Sequence, residues 1–418
     1  MKKPLFVISS PFDTYSGYGA RARDVIKSII QSDKYEVQLL SQRWGNTPWG
    51  FVKDHEEEWG FLLNHLLNPQ QQNPQPDIWM QITVPNEFQP YGKYNIGMTA
   101  GMETTLVDGT WVEGMNRMDI NFVSSWHSKQ AFLNSIFQKQ EKGQVVGEVK
   151  IQKPIEVLFE GADLNTYFAD DKPCLVDFNI KESFAYLFVG HWMQGELGED
   201  RKNVGLLIKS FLETFKNTKN APALILKTSG SGASYMDRAA IMKRYYAIRK
   251  TVKGKLPNVY ILHGEFTNEE MNSIYNHSKV KAMVSLTKGE GFGRPLLEFS
   301  LTKKPIIASG WSGHLDFLHP EYNVFLGGEL KNVHQSAIVP NMILPEAQWF
   351  SPKESEIGNA FKNVWKDYKK YSELGKRQAH YSKTNFSWEK MDEKLNEYLN
   401  KNIPTFAQQI ELNLPKLK

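Results

Sequence analysis

The sequence has 418 residues, more than a single hydrophobic core usually serves, so we expect two domains. Its formal net charge is +4, from 50 basic and 46 acidic residues, which excludes nucleic acid or an anionic membrane as a partner bound through overall charge. The single cysteine, Cys174, excludes an intramolecular disulfide and fits a reducing compartment. No apolar run approaches the roughly 20 residues that span a bilayer, and the apolar residues after Lys2 and Lys3 are too few for a signal peptide. We therefore expect a cytoplasmic protein, with peripheral attachment to a membrane left open.

The beginning of the chain has the pattern of a strand, a loop, a helix and a second strand. An apolar run at 5–8 predicts a buried strand, and apolar residues at helical spacing from Ala22 to Ile30 predict a helix before a strand at 35–40. Gly17 and Gly19 stand in the first loop. In a parallel sheet such a loop lies at the carboxyl edge, where ligands bind, so both glycines are candidate ligand contacts. The alternative is a turn that needs positive φ at either glycine.

A carboxylate follows another predicted strand. The stretches 77–82, 94–99 and 119–124 have the composition of strands, and Glu103 lies in the loop after the second of them. A carboxylate at a strand's carboxyl end is a candidate site residue, and capping of its own loop is the alternative. The segment 138–150 is polar and contains glycine, and it predicts a surface loop.

A polar connection with a proline at 170–173 marks the boundary between two domains, which we place at 1–168 and 169–384. Within 385–418, apolar side chains at Trp388, Met391, Leu395 and Tyr398 follow helical spacing. This helix is amphipathic and needs a surface to cover.

The second domain opens with another β/α series. A predicted strand at 185–189 is followed by His191, and Arg201 and Lys202 stand where a helix opens. A helix at 236–252 has a cluster of basic residues with two tyrosines between them, which raises the question of nucleic-acid binding; the cluster is Lys243, Arg244, Arg249, Lys250 and Lys253 at its end. Its apolar residues form one stripe and the basic residues occupy the remaining arc, so a solvated face is favoured over a binding patch.

The stretch 289–298, GEGFGRPLLE, is the strongest site signal in the chain. It follows the apolar run 280–286, so the predicted order is strand, glycine turn and helix. Glycines let a backbone approach a ligand closely, and a helix that begins at Arg294 directs free N–H groups at an anion. Glu290 in the loop and Glu298 in the early helix can both reach one small polar ligand. A second glycine-rich loop, with Ser312 and Gly313, would lie beside the first.

These residues resemble the retaining glycosyltransferases of family four, which have the GT-B fold. The resemblance covers nearly the whole chain, and it is strong over 280–317 and weak in the first domain. It implies an α/β protein in which two Rossmann-like β/α/β domains face a central cleft. Residues 1–168 would form the acceptor domain and 169–384 the nucleotide-sugar donor domain. The helix within 385–418 would cross back and complete the first domain.

The resemblance also assigns roles to the residues of the motif. Glu298 would hydrogen-bond the ribose hydroxyls of a nucleoside-diphosphate sugar, since a carboxylate can accept from two neighbouring hydroxyls. Glu290 and the amides near Phe292 and Gly293 would hold the donor sugar. The other positions that the resemblance places at the donor are Gly17, Gly19, His191, Gly291, Arg294, Ser312 and Gly313.

Two cations complete the expected catalytic set. Negative charge builds on the departing diphosphate, and Lys202 is the first choice for the group that stabilises it, with Arg201 second. His191 stands where members of the family often have an arginine, and it is either a phosphate donor or a packing histidine. Glu103 stands where many members have a histidine that faces the donor sugar. We expect Glu103 to orient the donor or the acceptor and not to act as a nucleophile.

No Asp-x-Asp motif is present, so we expect no metal, and the nucleotide-sugar is a co-substrate and not a bound cofactor. The acceptor is a glycan, a lipid or modified DNA, while the donor and the oligomeric state are left open. One alternative is a sugar-nucleotide epimerase or a glycogen phosphorylase of the same fold, although the pyridoxal lysine of a phosphorylase is not found. Another is a nucleic-acid-binding module or a phage-type DNA-base glycosyltransferase, which rests on the basic helix.

Overall fold

The computed structural model describes residues 3–68, 74–141, 144–230 and 232–406. Its first half consists, in chain order, of β1 (Leu5–Ser10), α1 (Gly17–Gln31), β2 (Glu36–Ser41), α2 (Phe51–Asp54), α3 (Glu56–Trp59), β3 (Ile78–Ile82), β4 (Tyr94–Met98), α4 (Gly109–Asn116), β5 (Ile120–Val123), α5 (Trp126–Asn134), β6 (Phe137–Glu141), β7 (Gln144–Val149) and β8 (Ile155–Val157).

Six of these strands form a parallel sheet in the order β2-β1-β3-β4-β5-β8. Core clusters lie on both of its faces, and all five residues of β3 are buried. This two-sided burial explains why the strands read as nearly continuous apolar runs and not as alternating ones. The strand order reverses between β1 and β3, and in open α/β sheets a ligand crevice forms at such a reversal.

The segment 138–150 differs from the prediction of a surface loop. It contributes most of the antiparallel hairpin β6–β7, in which Phe137 pairs with Val149. These two side chains pack against the core cluster on one face of the first sheet. The strand residues between them are mostly polar or exposed, so the local composition resembled that of a loop, and residues 142–143 at the turn lie outside the described part.

The second half consists of β9 (Ala185–Val189), α6 (Val204–Phe215), β10 (Ala223–Lys227), α7 (Tyr235–Thr251), β11 (Val259–Leu262), α8 (Asn268–Asn276), β12 (Val280–Ser285), α9 (Arg294–Ser300), β13 (Ile306–Ser309), β14 (Val324–Leu326), β15 (Gly328–Asn332), β16 (Gln348–Pro352), α10 (Glu354–Lys366), α11 (Tyr368–Asn385) and α12 (Trp388–Asn402).

The second sheet is also six-stranded and parallel, in the order β11-β10-β9-β12-β13-β14. Numbered within the domain this order is 3-2-1-4-5-6, that of a dinucleotide-binding fold, and its reversal lies between β9 and β12. The loops that follow these two strands therefore border the expected crevice. β15 and β16 form a separate antiparallel hairpin after the sheet.

The last helix crosses back to the first sheet. Met391, Leu395 and Leu399 of α12 are buried in the core cluster that also holds Ala22 and Val25 of α1. The predicted arrangement of two Rossmann-like sheets with a returning C-terminal helix is confirmed, and within 385–418 the residues 407–418 lie outside the described part. The domain limits at 168/169 and 384/385 stay a prediction. No described helix combines the length and the apolar composition that crossing a bilayer requires.

Replacing Leu395 by alanine tests the docking of α12. Leu395 is fully buried, so the change leaves a cavity and is expected to lower the free energy of unfolding by about 2–5 kcal/mol. Urea denaturation measures the loss, and Glu397→Ala, on the exposed side of the same helix, is the matched control. Equal stability of the two variants would contradict this packing.

Candidate functional site

Loops from both sheets meet at the reversal point of the second sheet. The loop after β12 passes so close to the loop after β4 that a Cβ atom on Gly289 would collide with the carbonyl oxygen of Glu103. A Cβ atom on Gly291 would lie 2.5 Å from the carbonyl oxygen of Ala100. The glycines of the 289–293 turn thus permit the approach of the other domain's backbone.

Two cations surround Glu290. Lys202 Nζ lies 2.5 Å from Glu290 Oε1, and Arg201 Nη1 lies 3.6 Å from Glu290 Oε2 and 3.5 Å from Glu103 Oε1. Arg201 also donates to the carbonyl oxygen of Gly289 at 3.1 Å. Glu103, Arg201, Lys202 and Glu290, which we call the ion cluster, bring together all four residues of the expected catalytic set.

The helix predicted to open at Arg201 and Lys202 begins later, at Val204. Asn203 precedes it in the left-handed region with φ 57°, and the Asp200 carboxylate accepts from the Val204 N–H. Arg201 and Lys202 therefore lie in the turn before α6, not in its first turn. This turn directs both side chains into the ion cluster.

Burial and charge act in opposite directions on these groups. Burial of Glu290 disfavours its ionised form, but the charges of Lys202 and Arg201 outweigh this effect and hold its pKa below the ordinary value. Burial lowers the pKa of Lys202, and Glu290 offsets part of that change. Burial also opposes the charge of Arg201, but Glu103 and Glu290 overcome it and raise the pKa of Arg201. Glu290 is therefore an ionised carboxylate held by two cations.

The second glycine loop holds the backbone of Glu290. The Glu290 N–H donates to Ser312 Oγ at 2.9 Å, and the Gly313 N–H donates to the carbonyl oxygen of Glu290 at 3.0 Å. A Cβ atom on Gly313 would collide with the carbonyl oxygen of Gly291. Ser312 and Gly313 are thus brought to the motif, as the sequence predicts for neighbouring loops.

The remaining motif residues begin the helix α9. Gly293 has φ 99°, a conformation that favours glycine, and it immediately precedes Arg294 at the helix start. The ring of Phe292 is buried against Phe317 with 4.8 Å between ring centroids, and a contact of its backbone amide with the donor stays a prediction.

Glu298 is buried and already has two donors. Tyr275 donates its hydroxyl to Oε2 at 3.1 Å, and Arg294 Nε donates to Oε1 at 3.1 Å. Arg294 Nη1 also donates to Oδ2 of Asp24 in α1 at 2.7 Å. Burial raises the pKa of Glu298, and the charge of Arg294 partly offsets this rise. Arg294, which the resemblance places at the nucleotide-sugar donor, therefore joins Glu298 to the first domain.

Gly17 and Gly19 lie at the start of α1 and not in a loop. Ser16 caps the helix by accepting from the Gly19 N–H at 2.9 Å. Neither glycine has positive φ, so the alternative of a left-handed turn is wrong. Gly19 is required by close packing, since a Cβ atom there would collide with the carbonyl oxygen of Thr14, whereas Gly17 faces open space.

His191 lies at the carboxyl end of β9. The residue is exposed, and its Nδ1 is 3.0 Å from Ser229 Oγ. His191 is therefore not a histidine packed inside the core. Desolvation of the part of the ring that the protein covers, together with the charges of Lys202 and Lys227, lowers its pKa. Contact with a phosphate stays a prediction for this residue.

Several residues around the site carry no recognisable signal in the sequence. Asp24 and Tyr275 resemble ordinary helix residues, yet they complete the surroundings of Arg294 and Glu298. His127 packs edge-on against Trp311 of the second glycine loop, with ring centroids 4.4 Å apart. Such partners are remote along the chain, so local pattern cannot reveal them.

The basic helix α7 buries Ile241, Tyr245 and Ile248. Its predicted apolar stripe is therefore the buried face, and Lys243 and Lys250 are exposed. Arg244 donates to the backbone carbonyls of Trp192 and Met193, which gives it a structural partner within the protein.

Removing one partner of the ion cluster is expected to destabilise the protein. Lys202→Met leaves the buried Glu290 with less compensation and should cost about 3–5 kcal/mol of unfolding free energy. Adding Glu290→Gln should recover part of that loss, and urea denaturation measures the two single variants and the double variant. Lys331→Met, at an exposed ion pair, is the control. A double variant as unstable as the sum of the single variants would contradict the coupling.

His127 is expected to make stability depend on pH. Burial, with a smaller contribution from His314, lowers its pKa from 6.5 to about 4. Between pH 6.5 and about 4 the unfolded chain binds a proton at this histidine that the folded protein does not. The free energy of unfolding therefore decreases as pH falls through this range, by up to about 3 kcal/mol. Thermal melting from pH 7 to 4 should fall less steeply for His127→Gln than for the wild type. Parallel melting curves would show that His127 titrates normally.

The fold resembles solved glycosyltransferase structures over nearly its whole length. Anabaena HepE, crystallised with UDP and glucose, has a TM-score of 0.61 at 12% identity, with 95% of this chain and 100% of that chain covered. Sucrose-phosphate synthase from Thermosynechococcus elongatus has a TM-score of 0.59 at 12% identity, with 96% of this chain and 99% of that chain covered. The α,α-trehalose 6-phosphate synthase from Burkholderia multivorans has a TM-score of 0.58 at 9% identity, with 96% of this chain and 99% of that chain covered.

No family model and no curated protein matches the sequence. At identities this low, the likeness to solved structures concerns the fold. The two parallel sheets, their facing loops and the returning C-terminal helix have the architecture of those enzymes. The chain has the GT-B fold.

Proposed function

We propose that the protein is a retaining glycosyltransferase that moves a sugar from a nucleoside diphosphate to an acceptor hydroxyl without a metal ion. The observation that carries this proposal is the ion cluster, in which Glu290 of the 289–298 motif meets Lys202 and Arg201 at the reversal point of the second sheet. That position supports donor binding, because α/β sheets bind ligands at the carboxyl ends of strands beside such a reversal.

Uridine diphosphate sugars are the first donors to consider. HepE has been crystallised with UDP and with UDP-glucose, which are ligands of that protein. In this chain Glu298 would take the ribose. Its two oxygens offer about four acceptor positions, so its bonds to Tyr275 and Arg294 leave capacity for two ribose hydroxyls.

Lys202 and Arg201 would stabilise the departing diphosphate. Cleavage of the bond between sugar and phosphate places negative charge on the leaving group, and fixed cations in a site that excludes water stabilise that charge strongly. Both side chains are largely buried, with exposed fractions of 12% and 15%. Glu290, which neutralises them here, would turn to the hydroxyls of the donor sugar. This division of charge supports a mechanism that needs no metal.

Retention would follow from attack of the acceptor on the face that the diphosphate leaves. The departing phosphate oxygen can take the proton of the acceptor, so no strong protein base is required. Glu103, whose side chain is 32% exposed, would orient the acceptor from the first domain. Contacts between the loops of the two domains would keep out water that would otherwise hydrolyse the donor.

Donor binding by two variants tests the assignment of roles. Glu298→Ala removes a charged acceptor and should weaken UDP-sugar binding by roughly 10–100-fold. Lys202→Ala should slow turnover by roughly 100–1,000-fold with a smaller effect on donor affinity. Calorimetry measures affinity, and slow donor hydrolysis measures turnover. Glu321→Ala, an exposed glutamate of the same domain, is the control.

Equal donor affinity in the wild type and in Glu298→Ala would overturn the ribose assignment. If no UDP-, GDP- or ADP-sugar shifts the melting temperature or is hydrolysed, the proposed function itself fails. Product analysis with and without acceptor distinguishes a transferase from an epimerase. Activity lost in EDTA and restored by Mg²⁺ would contradict metal independence.

A further inference from the structure

The loops at the carboxyl edge of the first sheet fall into two groups. Those after β4 and β5 bind the second domain: the Thr105 N–H donates to the carbonyl oxygen of Gln348 at 2.9 Å, and the Trp126 N–H donates to Asp316 Oδ2 at 2.9 Å. The loops after β1 and β2 bind each other, since the Tyr15 N–H donates to the carbonyl oxygen of Pro48 at 3.2 Å. The second group borders the reversal between β1 and β3, where a first-domain ligand is expected.

This second group, together with Tyr18 at the start of α1, carries a set of aromatic side chains, among which Trp44 and Trp49 are partly accessible. The rings of Tyr18 and Trp44 are stacked with centroids 3.9 Å apart, and Trp44 is half-buried. Trp49 is 45% exposed and pairs through its backbone with Thr14. We call Tyr15, Tyr18, Trp44 and Trp49 the aromatic platform. Large accessible rings in one place offer a flat surface for a ligand.

Buried contacts hold the platform in place. Arg23 donates to the carbonyl oxygens of Phe12 and Thr14 at 2.7 and 2.9 Å, and its guanidinium lies 3.4 Å from the centroid of the Phe51 ring. The Asp13 carboxylate accepts from the Val52 N–H at 2.8 Å. Because these loops are already ordered, a ligand that stacks on them would lose little binding free energy to ordering.

The platform leads to the ion cluster. The hydroxyl of Tyr18 lies 2.8 Å from Thr99 Oγ1, just after β4, four residues before Glu103. Burial raises the pKa of Tyr18, and the charge of Glu103 adds to the rise. Glu103 in turn contacts Arg201. A ligand on the platform would therefore lie on the first-domain side of the proposed donor site.

The charges around the platform select against polyanions. Asp13 belongs to the same loops, and four exposed carboxylates follow them, at Asp54, Glu56, Glu57 and Glu58. These acidic side chains outnumber the two exposed cations of the same segment, Arg43 and Lys53. A nucleic acid or an anionic lipid headgroup needs cations at its phosphates. A sugar ring needs none, because it presents C–H groups to an aromatic face and hydroxyls to carboxylates.

We propose that the aromatic platform is the acceptor subsite and that the acceptor is an uncharged saccharide whose ring stacks on Trp44. This inference rests on the proposed function and names the acceptor class of that same site. Glu103 would accept a hydrogen bond from the sugar hydroxyl that receives the transferred group. The proton of that hydroxyl would leave on the departing diphosphate, which balances the transfer.

Ligand-observed NMR with UDP present tests the subsite. The probes are methyl glucoside, methyl galactoside, methyl mannoside, methyl N-acetylglucosaminide and maltotriose. At least one should bind, and Trp44→Ala should weaken it by roughly three- to tenfold, while Trp44→Phe keeps most of the affinity because it keeps a ring. Tyr91→Ala is the control, because Tyr91 is an exposed aromatic that packs on Trp79, away from the platform.

Equal saccharide affinity in the wild type and Trp44→Ala would overturn the subsite, and so would the failure of every probe to bind. Duplex DNA or anionic vesicles that bind in a Trp44-dependent manner would overturn the acceptor class. UDP affinity is measured in the same samples. Its absence in the wild type counts against the proposed function, whereas normal UDP affinity with an unaffected Trp44→Ala variant counts against the subsite alone.

Discussion

Two backbones meet at the centre of this protein with no room between them for a Cβ atom. Gly289 lies against the carbonyl oxygen of Glu103, and Gly291 lies against that of Ala100. Any larger residue would push the loops apart, and the contact of Arg201 with Glu103 across the cleft would be lost. The glycines of the 289–293 turn thus set the distance between the domains, and the charges of the site depend on that distance. The stretch 289–298, whose sequence predicts a ligand-binding loop, is therefore also a contact between the two domains.

The charges of the ion cluster can be buried only because its members neutralise one another. Burying one charge costs on the order of several kcal/mol, and Lys202, Arg201 and Glu290 are all largely shielded from water. Each carboxylate has a cationic partner and each cation a carboxylate. The arrangement is neutral without ligand, so an incoming diphosphate would have to compete with Glu290 for the cations. That competition gives a physical reason for Glu290 to turn to the donor sugar when the site is filled.

Arg294 provides a second link between the domains, at some distance along the motif. It holds Glu298 through Nε and Asp24 of α1 through Nη1. The proposed ribose contact is therefore coupled to the helix that begins just after the aromatic platform's first loop. The proposed donor and acceptor sides thus share one element, α1, whose N-terminal residues pack through Gly19 against Thr14.

The sequence by itself determined two successive β/α series and the stretch 289–298, because periodicity, glycine and proline act over a few residues; it did not indicate the hairpin β15–β16 or the helices α10 and α11. It also indicated Lys202, Arg201, Glu103 and Glu290 as a set, through the resemblance it carries. Local composition misread 138–150 as a loop and the glycines at 17 and 19 as possible left-handed turns. Only the tertiary structure decided which charges pair, such as Arg294 with Asp24 across 270 positions, since no local pattern encodes a remote partner. The meeting of the loops, and with it the aromatic platform beside the ion cluster, follows from how the two sheets pack.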